Sequence, residues 1–219
     1  MGDYHHIFDA VLDYAETSAG HPALIYESRE TTYGELGRRA ARVRNGLVDM
    51  NVATHGRIAI LTGNNDYFFE IWLGAALGNF VLTPINARLA PREVAFILND
   101  SGAEVLFVDT PFDGLVRSIT DELKSVREIM PLDSYPGWRD AQSEEVHAPD
   151  IEPTETMVQM YTSGTTGFPK GVELNHTAML ACVRSMMGLH AWEPGQVALV
   201  TAPLFHTAGC AWANCALQS

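Results

Sequence analysis

Lysine is almost missing from this chain. Of 219 residues only Lys124 and Lys170 are lysines, and the fourteen basic side chains face twenty-seven acidic ones for a net charge of −13. A surface so poor in cations excludes nucleic-acid binding, which needs a basic stripe, and docking on anionic lipid. Cysteine is also scarce, at three residues (Cys182, Cys210 and Cys215). A low, odd count argues against a disulfide-built scaffold and fits a reducing, cytoplasmic setting. Long apolar runs are absent: the longest, 71–85, is broken by Gly74, Gly78 and Asn79 and is too short to span a bilayer. The N-terminus lacks the basic and apolar regions of a secretory signal, and His6 stands where a myristoylation motif needs Ser or Thr. With 47% hydrophobic residues, the chain has the makings of one sizeable core or two small ones.

Periodicity outlines the fold. Ile7, Phe8, Val11, Leu12 and Ala15 predict an amphipathic helix over 5–19, stopped by Gly20 and Pro22. The adjacent His5 and His6 read as an exposed pair. A hairpin is expected over 23–27 and 31–33. A second helix is expected over 34–50, where Leu36, Ala40, Val43 and Leu47 line one face. Strands at 58–61, 81–85, 105–108 and 127–131 then alternate with helices at 66–77, 91–99 and 112–125. That alternation implies an α/β fold of mainly parallel β-sheet flanked by helices. Residues 140–155 hold Asp140, Glu144, Glu145, Asp150, Glu152, Glu155, Pro149 and Pro153 with no basic residue, the composition of a solvated linker. It separates an α/β subdomain, 1–139, from 156–219, read as a phosphate-loop segment and the start of a second sheet.

One stretch carries most of the chemistry. Residues 161–171 read Tyr-Thr-Ser-Gly-Thr-Thr-Gly-Phe-Pro-Lys-Gly, with hydroxyls at Thr162, Ser163, Thr165 and Thr166, turn-forming Gly164 and Gly167, and the rare Lys170. Backbone N–H groups turned inward by glycine, added hydroxyl donors and one point charge suit a polyphosphate. The chain uses arginine almost everywhere else, so lysine here marks a compact charge rather than a planar fork. It is not a Walker A loop. Pro169 precedes the lysine, Gly171 follows it, and no Ser or Thr stands after Lys170 to hold a metal. The preceding 156–161 alternates like a strand and a second strand is expected over 171–174 before a helix from His176, so the loop falls at a strand's carboxyl end, where open α/β sheets place ligands.

The string at 161–171 closely resembles the phosphate-binding signature of the adenylate-forming, or AMP-binding, superfamily of acyl-CoA synthetases, aryl-CoA ligases and adenylation domains. Thr32-Tyr33-Gly34-Glu35-Leu36 is similar to that family's T/S-Y-x-E-L segment, and 77–89 to its L-G-A-V-x-x-P-x-N-x-R-L segment, with Asn79-Phe80 replacing the usual small pair. Ala202-Pro203-Leu204-Phe205-His206 resembles its P-x-F-H turn. The resemblance implies that Ser163, Gly164, Thr165, Thr166 and Gly167 line the triphosphate of ATP, that Thr162 neighbours Mg2+, and that Lys170 helps hold the departing pyrophosphate. It places His206 between an acyl pocket and the adenylate, and makes Lys170 and His206 the candidate catalytic pair.

The implied reaction joins a carboxylic acid, fatty or aryl, to the α-phosphate of ATP, releases pyrophosphate, and then passes the acyl group to the thiol of coenzyme A. ATP, Mg2+ and coenzyme A are the implied cofactors and co-substrates; homo-oligomers are compatible with the resemblance. A peptide-synthetase adenylation domain would carry aspartate after Phe205, and His206 there favours an acyl or aryl acid. Adenylation of an amino or aryl acid, or a non-catalytic nucleotide- or partner-binding remnant, stays open. The family's later segments, with their metal-binding glutamate, ribose-binding aspartate and C-terminal lysine, do not appear. The expectation is an N-terminal portion that cannot complete adenylation alone. His206, Cys210 and Cys215 do not make a zinc set, because neither paired spacing nor a fourth ligand is visible, and Cys182 reads as helix core.

Overall fold

The computed structural model describes residues 3–145, 150–162, 168–190, 192, 193 and 195–219. Helix α1 (Asp9–Thr17) begins later than hydrophobic spacing alone suggests. The Asp9 carboxylate accepts from the amides of His5 and His6, both at 2.8 Å, which ties the residues ahead of the helix to its first turn. β1 (Pro22–Tyr26) and β2 (Arg29–Thr32) form an antiparallel hairpin. α2 (Tyr33–Asp49) opens with a capping box in which Thr32 and Glu35 each accept from the other's amide.

The main sheet follows, through β3 (Arg57–Leu61), α3 (Tyr67–Leu77), β4 (Val81–Pro84), α4 (Pro91–Ser101), β5 (Ala103–Val108), α5 (Asp113–Ile119), β6 (Glu128–Pro131), α6 (Tyr135–Asp140), β7 (Thr156–Thr162) and β8 (Lys170–Asn175). α7 (His176–His190) and α8 (Thr207–Leu217) complete the described elements. The strands lie in the order β6-β5-β3-β4-β7-β8. The first five are parallel and only the edge strand β8 runs antiparallel. β7 and β8 therefore continue the sheet built by β3 to β6.

Both faces of the sheet's centre are covered, which is why β3, β4 and β5 are almost wholly apolar. Ile58 and Ile60 of β3 point into a core shared with α1, α2, α3, α7 and α8, while Ala59 and Leu61 point into one shared with α4 and α5. Inside the first core lies a carboxylate. Glu70 is fully buried and accepts from Arg39 at 3.0 Å, Arg139 at 2.6 Å and the Tyr135 hydroxyl at 2.9 Å. Burial, then the Glu70 charge, pushes the Tyr135 phenol well above its ordinary range.

Several expectations change. The helix over 112–125 shrinks to α5, flanked by 3-10 turns at Thr110–Phe112 and Thr120–Glu122. Beyond these turns Asn99 holds the chain, its side chain accepting from the Lys124 amide at 2.8 Å and donating to Glu122 O at 2.9 Å. His6 is not exposed: it stacks on Phe8 with ring centroids 5.0 Å apart, and its Nε2 is 2.7 Å from Ile151 O. The Asn79-Phe80 departure has a local reason. Asn79 takes a left-handed φ of 55°, tolerated by Asn, its amide donates to Glu155, and the Phe80 ring covers Gly78. In the acidic 140–155 segment, Asp140 and Glu144 each meet Arg42 at 3.2 Å. No helix among the described residues is long and apolar enough to cross a membrane.

Candidate functional site

β7 carries the chain out of the core to the carboxyl edge of the parallel strands. Met157 to Met160 are buried, Tyr161 is half-buried and Thr162 is exposed. β8 returns beside it, pairing Tyr161 with Gly171 and Thr162 with Lys170. Directly opposite residues of an antiparallel pair project to the same face, so the Thr162 hydroxyl and the Lys170 ammonium share one side of the ladder. Ser163, Gly164, Thr165, Thr166 and Gly167 lie outside the described residues.

Gly171 has a packing reason to be glycine. A Cβ there would run into the Gln159 amide and, at 3.0 Å, the Tyr161 ring. The Tyr161 hydroxyl continues past it to donate to Asp100 Oδ2 at 2.6 Å. Burial first, and this bond second, raise the Tyr161 pKa, so the phenol stays protonated at neutral pH.

His206 caps α8. Its Nδ1 accepts from the Ala208 amide at 3.2 Å, which in the neutral ring leaves the proton on Nε2. Its own amide donates to Pro203 O at 3.1 Å, and the side chain is exposed. The next residue ties this turn to the loop strand, since the Thr207 hydroxyl lies 3.2 Å from Met160 Sδ, two residues before Thr162. The fold thus brings Thr162 and Lys170 together, and sets the His206 turn against the same strand.

Sequence reasoning missed the residue that holds the His206 segment. Asn64 donates to Ala202 O at 2.9 Å and accepts from the Leu204 amide at 2.9 Å, pinning residues 202–204 to the carboxyl end of β3. The dense Asn64-Asn65-Asp66 run was a visible signal of capping, and Asn65 does cap α3, accepting from Phe68 N at 3.0 Å. The same run gives no hint of a partner far along the chain.

Cys210 and Cys215 are both buried. Cys210 donates to Leu204 O at 2.7 Å, and Cys215 lies 3.6 Å from Val183 O. Burial raises both thiols, Cys215 to about 11, which makes them poor nucleophiles at neutral pH. Cys182 is only half-buried, at the margin of the core. No cluster of three His, Cys, Asp or Glu suited to a metal occurs among the described residues. A magnesium ion fits this donor set only as the companion of a triphosphate, with the Thr162 hydroxyl as a protein neighbour. A cavity of about 1160 Å³ opens elsewhere, between β1 and the 195–204 segment, with Leu24, Phe69, Leu199 and Leu217 on its walls. Thr162, Lys170 and His206 do not line it.

Known proteins resemble this chain in sequence and in fold. A family profile described as AMP-binding enzyme matches residues 12–219. The fatty acid–acyl-carrier-protein ligase ScoC of Streptomyces coeruleorubidus is 33% identical over 208 residues, covering 92% of this chain and 40% of that protein. A long-chain-fatty-acid–CoA ligase of Thermus thermophilus is 33% identical over 187 residues, covering 82% of this chain and 35% of its own length. The inhibitor-bound N-terminal domain of FACL13 from Mycobacterium tuberculosis superposes with a TM-score of 0.86 at 26% identity, over 97% of this chain and 55% of that domain. The chain thus spans 35–40% of the length of these two curated relatives. With its sheet order, its β7–β8 stem and a profile match over nearly its whole length, the chain belongs to the AMP-binding enzyme family.

Proposed function

We propose that this chain supplies the triphosphate-holding face of an ATP-dependent acid–thiol ligase, a fatty or aryl acid–CoA ligase in substrate class. One observation carries the reading. The pairing of Thr162 with Lys170 at the carboxyl end of β7 gathers the hydroxyl and ammonium groups at the stem of the Thr/Ser/Gly loop. Among the last eighty residues the only other basic side chain is Arg184, whose guanidinium is engaged 2.6 Å from Tyr4 O.

On this reading the protein's task in the first half-reaction is positional and electrostatic. Lys170 and the loop donors, Ser163, Gly164, Thr165, Thr166 and Gly167, hold the β- and γ-phosphates so that an acid carboxylate meets the α-phosphorus in line. Lys170 offsets charge on the pyrophosphate as the α–β bridge bond breaks. Magnesium, when bound with the nucleotide beside Thr162, neutralises further phosphate charge. His206 offers its Nε2–H towards the acyl-adenylate side of the site. Transfer to the thiol of coenzyme A, and the protein groups that would guide it, belong to the whole ligase, acting in the cytoplasm.

The relatives' names support a fatty acid as substrate, which one joins to an acyl-carrier protein and the other to CoA. The decisive experiment mixes the 219-residue chain with MgATP and a fatty acid or benzoate series, and follows pyrophosphate. The chain is expected to bind MgATP and release none. Binding of the acid without any response to ATP would leave the proposal without support.

A further inference from the structure

Residues 163–167 are flanked on both sides by contacts to one helix, α4. Ahead of them, Tyr161 donates to Asp100 Oδ2 at 2.6 Å. Just after them, the Phe168 ring meets Phe96, with centroids 5.3 Å apart and planes inclined at 34°. Phe96 and Asp100 are four residues apart, so they stand one above the other on a single stripe of α4. One stripe therefore reaches both stems with two unlike contacts, one polar and one aromatic.

The helix is well placed to act as a fixed support. Val94, Ala95, Ile97 and Leu98 are buried against β3 and β5 in the second core. Its first turn has Pro91, and Glu93 accepts from the Ala90 amide at 2.8 Å. Its end is closed by Gly102 at φ 69°, a left-handed position suited to glycine, and by the Asn99 contacts to 122–124. The hairpin it meets is less anchored. β8 is an edge strand, Lys170 to Glu173 are exposed, and Phe168 is 66% exposed. An aromatic ring left so open gains little from burial; what its contact with Phe96 adds is direction.

We infer that α4 is the positioning element of this site: Asp100, acting through Tyr161, and Phe96, acting through Phe168, orient the strand ends that carry Thr162 and Lys170. Both are positioning residues, since neither approaches a phosphate on this account. The Tyr161 ring lies over Gly171, so a single side chain links β7, the residue after Lys170, and α4. The consequence for ATP rests on the function proposed above, whereas the mechanical link does not.

The test uses the whole chain with Asp100→Ala and Phe96→Leu, singly and together, and Asp100→Asn, which keeps an acceptor for the Tyr161 hydroxyl. Amide hydrogen exchange is read at 160–162 and 170–172, beside the urea midpoint and the MgATP dissociation constant. The double variant is expected to speed exchange at those amides by roughly tenfold with the urea midpoint unchanged. MgATP should weaken by roughly three- to tenfold, and Asp100→Asn should recover most of the Asp100→Ala loss. Unchanged exchange at these amides overturns the inference. So does faster exchange spread evenly over β3 and β5 with a lower midpoint, which would mark a general packing loss. If the unmodified chain binds no MgATP, the triphosphate reading falls, while selective exchange at the stems still upholds the role of α4.

Discussion

Thr162 and Lys170 stand opposite each other in the β7–β8 ladder, and this pairing makes one of the chain's two lysines the companion of a hydroxyl. Positions that face each other across an antiparallel pair are set by register, and register here is fixed from Val158↔Leu174 up to the loop. The chemistry at the loop's mouth is thus specified by strand pairing that starts at the margin of the core, where Val158 is buried and Leu174 packs against it.

The buried carboxylate of Glu70 should matter most for stability. Removing it as Glu70→Ala leaves Arg139, itself nearly buried, without its 2.6 Å partner and deprives Arg39 and Tyr135 as well. A broken buried ion pair costs about 3–5 kcal/mol. Urea unfolding should show a loss of that order for Glu70→Ala and a smaller one for Glu70→Gln, which still accepts.

Acid should loosen the N-terminal segment through His176. Its Nδ1 accepts from the Ile7 amide at 3.2 Å, and its ring lies edge-on to His6 with centroids 5.0 Å apart. Burial, then the charge on His6, lowers its pKa to about 4, with Asp9 opposing. The neutral form is the one the fold favours, so the contribution is complete above the unfolded value of 6.5 and is lost as pH falls towards 4. The linkage amounts to up to about 3 kcal/mol. Urea midpoints between pH 7 and 4.5 should fall, and His176→Gln, which keeps an acceptor for Ile7, should flatten that slope.

Asn64 should hold the 202–204 segment. Asn64→Ala removes a donor and an acceptor at once, leaving the Leu204 amide and Ala202 carbonyl unpaired. The expected cost is about 2 kcal/mol, with faster hydrogen exchange centred on Leu204. Equal exchange at Leu204 in both proteins would contradict the tie.

His206 has two separable parts. Nδ1 caps α8, so His206→Ala should cost about 1 kcal/mol, and His206→Asn, a good cap, should restore it. Neither change should alter MgATP affinity. In the assembled ligase both should slow adenylate formation, because both remove Nε2. Recovery of that rate by His206→Asn would assign the residue to capping alone.

The sequence made the scaffold readable where one period governed a whole element. Leu36, Ala40, Val43 and Leu47 keep to one face of α2, and the short apolar run Ile58 to Leu61 marks β3, though only the fold shows that it serves two cores. The loop was legible as an ordered string, and its stem pairing extends that. What stayed hidden depends on partners far apart in the chain. Glu70 is the lone charge of an apolar helix, and nothing beside it in the chain shows that Arg39 and Arg139 close around it. Asp100 and Phe96 look like unremarkable α4 residues because their contacts lie more than sixty positions away. The segment after α5 is held by one side chain from α4, Asn99, which accepts from the Lys124 amide.

The central claim is that the 161–171 segment holds a triphosphate through Lys170, and a nucleotide series tests it most directly. Equilibrium binding of MgATP, MgADP, AMP and adenosine to the 219-residue chain should fall in that order. Lys170→Met should weaken MgATP by roughly tenfold or more while leaving AMP unchanged, since a lost charge-assisted contact is worth about 1.5–3 kcal/mol. Adenosine binding as tightly as MgATP, or MgATP binding to Lys170→Met as tightly as to the unmodified chain, would contradict the account.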